Sequence, residues 1–271
     1  MTVFAQNAKE PDYWSLPCMW RLEYNVLDIS MARVMLVGAN EIIKVEGIAD
    51  IDRCHDWLRT VFSNTQSWET RFGYIHTYGN AWYLDIEAGL LHYYHANSSR
   101  TNALLKELPE LVPTLLRASE YMVGPSGETG LPCRFRALNL GPYWADAGVV
   151  MMVKGVEGEV HADYEGLAPY PAQLFDSGTR AYSAVLTLAV AASGGDLRIW
   201  KRRHLANEEP NLTDDVVETV KYSVGSMVIF DSFCYHQISQ SKLNDQHPWR
   251  AVAAVHFLFK SEPFPHWEHW F

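Results

Sequence analysis

The sequence predicts an α+β protein in which a double-stranded β-helix, or jelly roll, carries N-terminal helices packed on one sheet. From about residue 133 onward, short apolar runs alternate with turn residues at the spacing of jelly-roll strands. Before that point, apolar residues recur with helical periodicity in two segments. No linker is evident, so we expect one domain over 1–271: a helical and aromatic part (1–132), a jelly-roll core (133–260) and an aromatic tail (261–271).

The N-terminal part is expected to contain two strands and two helical segments. Apolar runs at 34–37 and 42–45 indicate strands. Asp50 is a candidate N-cap for a helix over 51–62, and a leucine-rich helical segment over 101–122 would restart at Pro109. The stretch between these helices, 71–97, is rich in aromatic residues, which suits ordinary core packing better than it suits a pocket wall.

The core is expected to consist of eight short strands. They are placed at 148–153, 159–163, 181–191, 196–200, 216–223, 226–231, 234–239 and 250–259. The tail that follows is expected to pack either across the mouth of the barrel or on its outside.

Composition restricts the class of protein. The chain has 271 residues, 48% of them hydrophobic, and a net charge of -10, which disfavours binding to nucleic acid. Its four cysteines lack C-x-x-C spacing, so we expect reduced thiols and a cytoplasmic location. We expect no signal peptide and no membrane helix, and the oligomeric state stays open.

One short motif carries the chemistry. His161 and Asp163 are two residues apart, so on a strand both side chains would emerge on one face. Two histidines and one carboxylate on one face form a common iron site, and His236 is the leading candidate for the third ligand. Alone, an H-x-D motif is weak in a chain with eleven histidines.

The order of the motifs makes the pattern more specific. After the H-x-D motif come an apolar strand, the turn Gly194-Gly195-Asp196-Leu197, the strand Gly225-Ser226-Met227-Val228-Ile229-Phe230-Asp231, His236 and a basic residue, Arg250. Over roughly 145–260 this resembles the iron(II)/2-oxoglutarate-dependent dioxygenases, in particular the prolyl-hydroxylase-like branch. The resemblance implies Fe(II), 2-oxoglutarate and O2 as cofactors, His161, Asp163 and His236 as metal ligands, and Arg250 on the distal carboxylate of 2-oxoglutarate.

The resemblance also implies a reaction and leaves one contact open. It implies hydroxylation of a C–H bond with release of succinate and CO2, although desaturation or ring closure would use the same residues. Many relatives carry a serine where this chain has Val252. Tyr182, Ser183 or Thr187 is expected to supply the missing polar contact.

The carboxylate at position 163 argues against halogenation, because halogenating relatives have glycine or alanine there. A closer resemblance to the hydroxylase relatives of free-amino-acid halogenases implies a small polar substrate, such as an amino acid or natural-product intermediate. The candidate substrate contacts are Tyr164, Glu165, Trp249 and Trp82. His256 is expected to be an ordinary core histidine.

Two alternatives from other classes stay open. One is a metal-dependent cupin enzyme that does not use 2-oxoglutarate, although cupins usually begin with H-x-H, which is absent here. The other is a non-catalytic jelly-roll protein that binds a sugar or another ligand. Neither gives Arg250 a specific role.

Overall fold

The computed structural model describes residues 33–37, 42–63, 68–71, 75–78, 107–135, 148–152, 157–163, 180–204, 213 and 217–270. All of them belong to a unit spanning Ala32–Phe271. The helices are α1 (Ile51–Ser63) and α2 (Leu111–Leu116), and α2 continues into a 3-10 turn over Arg117–Glu120. The strands are β1 (Arg33–Val37), β2 (Ile42–Glu46), β3 (Trp68–Arg71), β4 (Ile75–Tyr78), β5 (Cys133–Phe135), β6 (Gly148–Met152), β7 (Ala181–Ala189), β8 (Ser193–Gly194), β9 (Leu197–Arg203), β10 (Val217–Val220), β11 (Met227–Asp231), β12 (Cys234–Ile238), β13 (Ser241–Lys242), β14 (Arg250–Lys260) and β15 (His266–Trp270).

Most of the strands belong to one large sheet. Its order is β1-β2-β11-β7-β14-β6-β4-β3, and β15 joins it by pairing with β14 and with β5. A three-stranded sheet has the order β10-β9-β12, and β13 pairs with β8. Strands far apart in sequence therefore become neighbours, which places β7 and β14 at the centre of the large sheet.

The large sheet has two different faces, and β14 shows this most clearly. Ala251, Ala253, Val255 and Phe257 are buried in a hydrophobic core with residues of α1 and α2. Since side chains alternate along a strand, the even-numbered residues point to the other face. That face carries polar groups, among them Arg250 and His256, and both are buried.

The polar face of the large sheet packs partly against the smaller sheet. Val228 and Phe230 of β11 join Leu197 and Ile199 of β9 in a second hydrophobic core. The interior between the sheets is thus apolar at this end, while β7 and β14 present polar side chains beside it.

The α+β class and the helix over 51–62 are confirmed. Asp50 caps α1, because its Oδ1 accepts a hydrogen bond of 2.7 Å from the backbone N–H of Arg53. Of the segment 101–122, the described part has Pro109 in a turn before α2. None of the helices in the described part of the chain is long and apolar enough to cross a membrane.

Some strand predictions were wrong. Residues 159–163 do not form a strand: only His161 makes a single bridge, with His236. Strands β3 and β4 lie in or beside the aromatic segment, where none was predicted, and the tail supplies β15. The division of 1–271 into one domain with three parts stays a prediction.

Candidate metal centre

Three potential metal ligands meet at one point. One ligand atom each from His161, Asp163 and His236 lies within 4.8 Å of the others. Oδ1 of Asp163 lies 3.6 Å from Nε2 of His161 and 3.5 Å from Nε2 of His236. The imidazole rings are 4.3 Å apart between centroids and inclined at 55°. All three atoms therefore converge on a space of the size that one ion occupies.

Backbone hydrogen bonds set this arrangement. The N–H of His161 donates to the carbonyl of His236 over 3.0 Å, and the N–H of His236 donates back over 2.7 Å. Two residues further on, the N–H of Asp163 donates to the carbonyl of Ser232 over 2.8 Å. The segment that carries the H-x-D motif is thus fixed along β12 and the turn before it, although it is not itself a strand.

Each histidine presents the same nitrogen to the cluster. Nδ1 of His161 lies 2.9 Å from the carbonyl oxygen of Glu159, and Nδ1 of His236 lies 3.0 Å from that of Cys234. A carbonyl only accepts, so Nδ1 of each ring carries the proton and donates it. Nε2 of each ring is therefore the nitrogen that is available to a metal.

The two oxygens of Asp163 have different surroundings. Oδ1 faces the two imidazoles, while Oδ2 accepts a hydrogen bond of 2.6 Å from the hydroxyl of Ser183. Burial alone would raise the pKa of this carboxyl, but the electrostatic influence of His236, His256 and His161 and the bond from Ser183 outweigh it and lower the pKa to about 2. The carboxylate is therefore charged at neutral pH.

Burial has the opposite consequence for His236. Its side chain is 6% exposed, and burial lowers its pKa from 6.5 to about 4 even though the charge of Asp163 acts to raise it. At neutral pH this imidazole is neutral and able to coordinate. The side chain of His161 is 45% exposed, so the cluster is open to solvent on that side.

Arg250 is a buried cation on the same face of the large sheet. It is 4% exposed, and its Nε–H donates to the carbonyl of Gly195 over 3.0 Å. Its guanidinium lies over the ring of Tyr222, 4.7 Å from the centroid. Among the described carboxylates, none forms an ion pair with it, and burial lowers its pKa. A buried guanidinium in this state is suited to an anionic ligand.

Two unpaired hydroxyls accompany Arg250. Thr187 Oγ1 and Ser241 Oγ are buried and have no hydrogen-bond partner within the described part of the chain. Thr187 is opposite Val252 in the register of β7 and β14. Ser241 lies near the arginine, since a Cβ added to Gly195 would come within 3.0 Å of Arg250 Cδ and 3.4 Å of Ser241 Cβ. Buried hydroxyls without partners are costly, which favours a ligand that would bond to them.

Two predicted contacts lie on the wrong face of the large sheet. Tyr182 belongs to the core beneath the helices and packs edge-on against Trp267, with centroids 5.6 Å apart. It neighbours Ser183 in sequence, so alternation turns it away from the cluster. Trp249 packs against Phe62 of α1, at 4.5 Å between centroids, in the same helix-side core. The proposed contacts Tyr164, Glu165 and Trp82 lie outside the described residues.

Two further polar residues, His256 and Thr77, lie on this face of the large sheet and were not among the predicted site residues. His256 Nδ1 lies 3.8 Å from Asp163 Oδ2 and 3.1 Å from Ser183 Oγ. Its position six residues after Arg250 was a usable signal, since the even spacing puts both on one face. The hydroxyl of Thr77 is also buried and has no hydrogen-bond partner among the described residues. Thr77 lies on this face because the register pairs it with Val150 of β6, which in turn is paired with Val252 of β14.

The comparisons with known proteins agree with this fold. The chain matches no protein-family model and no curated protein. Among solved structures it is similar to an N-substituted L-amino acid dioxygenase from Burkholderia ambifaria AMMD, at 13% identity and a TM-score of 0.55, over 85% of this chain and 86% of that one. A structure of such a dioxygenase from the same organism in complex with α-ketoglutarate matches at 11% identity and a TM-score of 0.54, over 89% and 98%.

At this identity the similarity concerns the fold. The resemblance to the 2-oxoglutarate-dependent dioxygenases that the sequence motifs suggested is thereby confirmed at the level of the fold.

Proposed function

We propose that the protein is an iron(II)/2-oxoglutarate-dependent oxygenase built on a jelly roll, and that it hydroxylates a C–H bond of a small polar substrate. One observation carries the proposal: three ligand atoms converge beside the face of the large sheet on which Arg250 is buried, and none of the described carboxylates forms an ion pair with its guanidinium. The first feature suits a divalent metal and the second suits a dicarboxylic co-substrate. Neither a plain metal cupin nor a sugar-binding jelly roll calls for both.

The donor set fits iron. Nε2 of His161, Nε2 of His236 and Oδ1 of Asp163 would coordinate it as two imidazoles and one carboxylate, leaving the remaining positions for other ligands. When bound, iron with 2-oxoglutarate and O2 supplies the oxidising power for C–H hydroxylation, with succinate and CO2 as co-products. This chain's residues provide the charged carboxylate of Asp163, the buried neutral imidazole of His236 and the more exposed imidazole of His161.

The polar groups around Arg250 suit a dicarboxylate such as 2-oxoglutarate. The guanidinium would hold the distal carboxylate, and Thr187 Oγ1 and Ser241 Oγ would donate to it in place of the serine that Val252 replaces. Gly195 is part of this fit, since a side chain there would meet Arg250 Cδ. The orphaned hydroxyls become satisfied when the co-substrate is present.

The substrate proposal is a small polar molecule, with amino acids first. The similar solved structure is of an enzyme that acts on N-substituted L-amino acids, which suggests including such compounds. Desaturation or ring closure would use the same residues and stays open as the outcome of oxidation. Tyr164, Glu165 and Trp82 stay candidate substrate contacts.

The proposal is tested without knowing the substrate. Fe(II) and 2-oxoglutarate, added anaerobically to the intact protein, should give the weak visible charge-transfer band of an iron-chelated keto acid. Arg250→Ala should raise the concentration of 2-oxoglutarate needed for the band by tenfold or more, because a charge-assisted bond inside a buried site is lost. Arg198→Ala, on β9 and ion-paired with Glu157, is the matched control.

The outcomes separate the candidate functions. Metal binding without a band at any 2-oxoglutarate concentration would favour the cupin alternative. The absence of metal binding would favour a ligand-binding jelly roll. If the band forms, a screen for succinate release over free and N-substituted amino acids identifies the substrate.

A further inference from the structure

Ser183 is the centre of a hydrogen-bond cluster behind the proposed carboxylate ligand. Its Oγ lies 2.6 Å from Asp163 Oδ2, 2.9 Å from Ser232 Oγ and 3.1 Å from His256 Nδ1. Ser183 and Ser232 are each 1% exposed and His256 is 8% exposed. The cluster is therefore shielded from the water that could replace these bonds.

The donors in this cluster can be assigned from valence alone. A carboxylate only accepts, so the single hydroxyl hydrogen of Ser183 is donated to Asp163 Oδ2. Ser183 Oγ then has only lone pairs left for its other two neighbours. Ser232 O–H and His256 Nδ1–H must both donate to it, which saturates Ser183 and fixes the tautomer of His256.

We propose that Ser183, oriented by His256, holds Asp163 as a ligand through one oxygen only. The inference rests on the proposed function, because it concerns how the metal would be bound. Oδ2 is retained by the Ser183 hydroxyl, so the carboxylate presents Oδ1 alone to the two imidazoles. Ser183 and His256 are positioning residues, because within this cluster they act through Asp163.

The number of oxygens matters for the reaction. A metal held by two imidazoles and one carboxylate oxygen would keep three positions for a chelating keto acid and O2. A carboxylate bound through both oxygens would take one of these three. The hydroxyl on Oδ2 therefore protects a coordination position as well as orienting the ligand.

The register of the sheet explains why these residues meet. Ser183 of β7 is paired with His256 of β14 and with Phe230 of β11, so its side chain and that of His256 lie on the same face. Ser232 follows β11 and hydrogen-bonds through its carbonyl to the N–H of Asp163. Strand register and backbone hydrogen bonds thus bring these residues together.

The test measures binding of Co²⁺ alone to the intact metal-free protein, by titration and by the intensity of its visible d–d bands. Ser183→Ala should weaken Co²⁺ binding about 10–100-fold, as loss of such an outer partner typically does. It should also alter the d–d bands, because both carboxylate oxygens become available. Ser226→Ala is the matched control: this serine is equally buried at 1% exposure, and its hydroxyl donates to the Ser223 carbonyl, outside the cluster.

Variants of His256 test the second half of the inference. His256→Asn keeps an N–H near the position of Nδ1 and should bind Co²⁺ within about threefold of the wild type, whereas His256→Leu should bind it several-fold more weakly. Because His256 acts through Ser183, the double variant Ser183→Ala/His256→Leu should be no weaker than Ser183→Ala alone. A merely structural role would lower thermal stability and leave affinity and spectrum unchanged.

The failures are distinguishable. A wild-type protein that binds no Co²⁺ would overturn the proposed function itself. Normal affinity and an unchanged spectrum in Ser183→Ala, with a wild type that does bind, would overturn this inference and leave the proposed function standing. Additive losses in the double variant would refute the action of His256 through Ser183.

Discussion

Thr187 lies directly opposite Val252 across β7 and β14, and its buried hydroxyl has no hydrogen-bond partner among the residues that the structure describes. In the resembled family a serine at the position of Val252 supplies a hydroxyl to the co-substrate. In this chain Thr187, on the neighbouring strand β7, places a hydroxyl opposite that position on the same face of the sheet.

Thr187→Val should therefore weaken 2-oxoglutarate binding about tenfold or more, because a hydrogen bond to a charged group in a buried site is lost. The measurement is the 2-oxoglutarate dependence of the anaerobic charge-transfer band. Adding Val252→Ser to this variant should recover part of the loss. Thr219→Val, on an exposed position of β10, should bind like the wild type; equal affinity in Thr187→Val would exclude the contact.

The metal-free protein should lose stability as the pH falls from 6.5 towards 4. Burial lowers the pKa of His236 to about 4 and also lowers the pKa of His256, whereas in the unfolded chain both return towards 6.5. In this window the unfolded state binds protons that the folded state does not, so the free energy of unfolding decreases by up to about 1.4 kcal/mol per pH unit per histidine.

This pH dependence is measured by urea unfolding at several pH values without metal. His236→Gln should give a shallower slope, since the glutamine does not titrate. A wild-type stability that is constant over this range, or a slope that His236→Gln leaves unchanged, would contradict the burial of a neutral imidazole.

Alanine variants of Gly225 and Gly127 should distinguish the cost of an unfavourable backbone conformation from the cost of a steric clash. Both have positive φ, 78° and 91°. A Cβ on Gly225 would come within 2.0 Å of the carbonyl oxygen of Ala49, whereas a Cβ on Gly127 would meet nothing within 4 Å. Gly127→Ala should cost roughly 1–2 kcal/mol for backbone conformation alone, and Gly225→Ala about 1–3 kcal/mol more for the clash. Chemical denaturation of both variants measures the difference; equal losses would mean that the turn at Gly225 shifts freely.

Cys54 should resist alkylation in the native protein. Its thiol is fully buried beneath β7, its Sγ–H is directed at the Thr187 carbonyl over 3.9 Å, and burial raises its pKa to about 11. A raised pKa keeps it protonated up to pH 9, and the thiol is far less nucleophilic than the thiolate. Iodoacetamide at pH 8.5, followed by peptide mass spectrometry, should label Cys54 only after denaturation. Rapid labelling under native conditions would indicate local opening of α1.

The sequence allowed α1, most of the core strands and the pair His161 and Asp163 to be predicted from local spacing, whereas His236 and Arg250 were predicted from the order of the motifs and the resemblance. The sequence did not reveal which side chains of each strand point towards the helices and which point towards the metal cluster. On β7 both faces are largely buried, so alternation of polarity is weak, and Tyr182 was placed beside Thr187 although it points to the helices. Alternation along β14 places His256 on the face of Arg250, but only the register with Ser183 shows which groups it meets.

The reciprocal bonds between His161 and His236 join backbone atoms only, so they place the two imidazoles side by side without using either Nε2. Folding of the chain and binding of the metal would then be separate events. A chelator would remove the metal while leaving the chain folded, and adding the ion back would restore the site. Since nitrogen and oxygen donors of this kind bind many divalent cations, with copper and nickel favoured over iron by intrinsic affinity, the occupant in a cell would be decided by supply rather than by the shape of the centre.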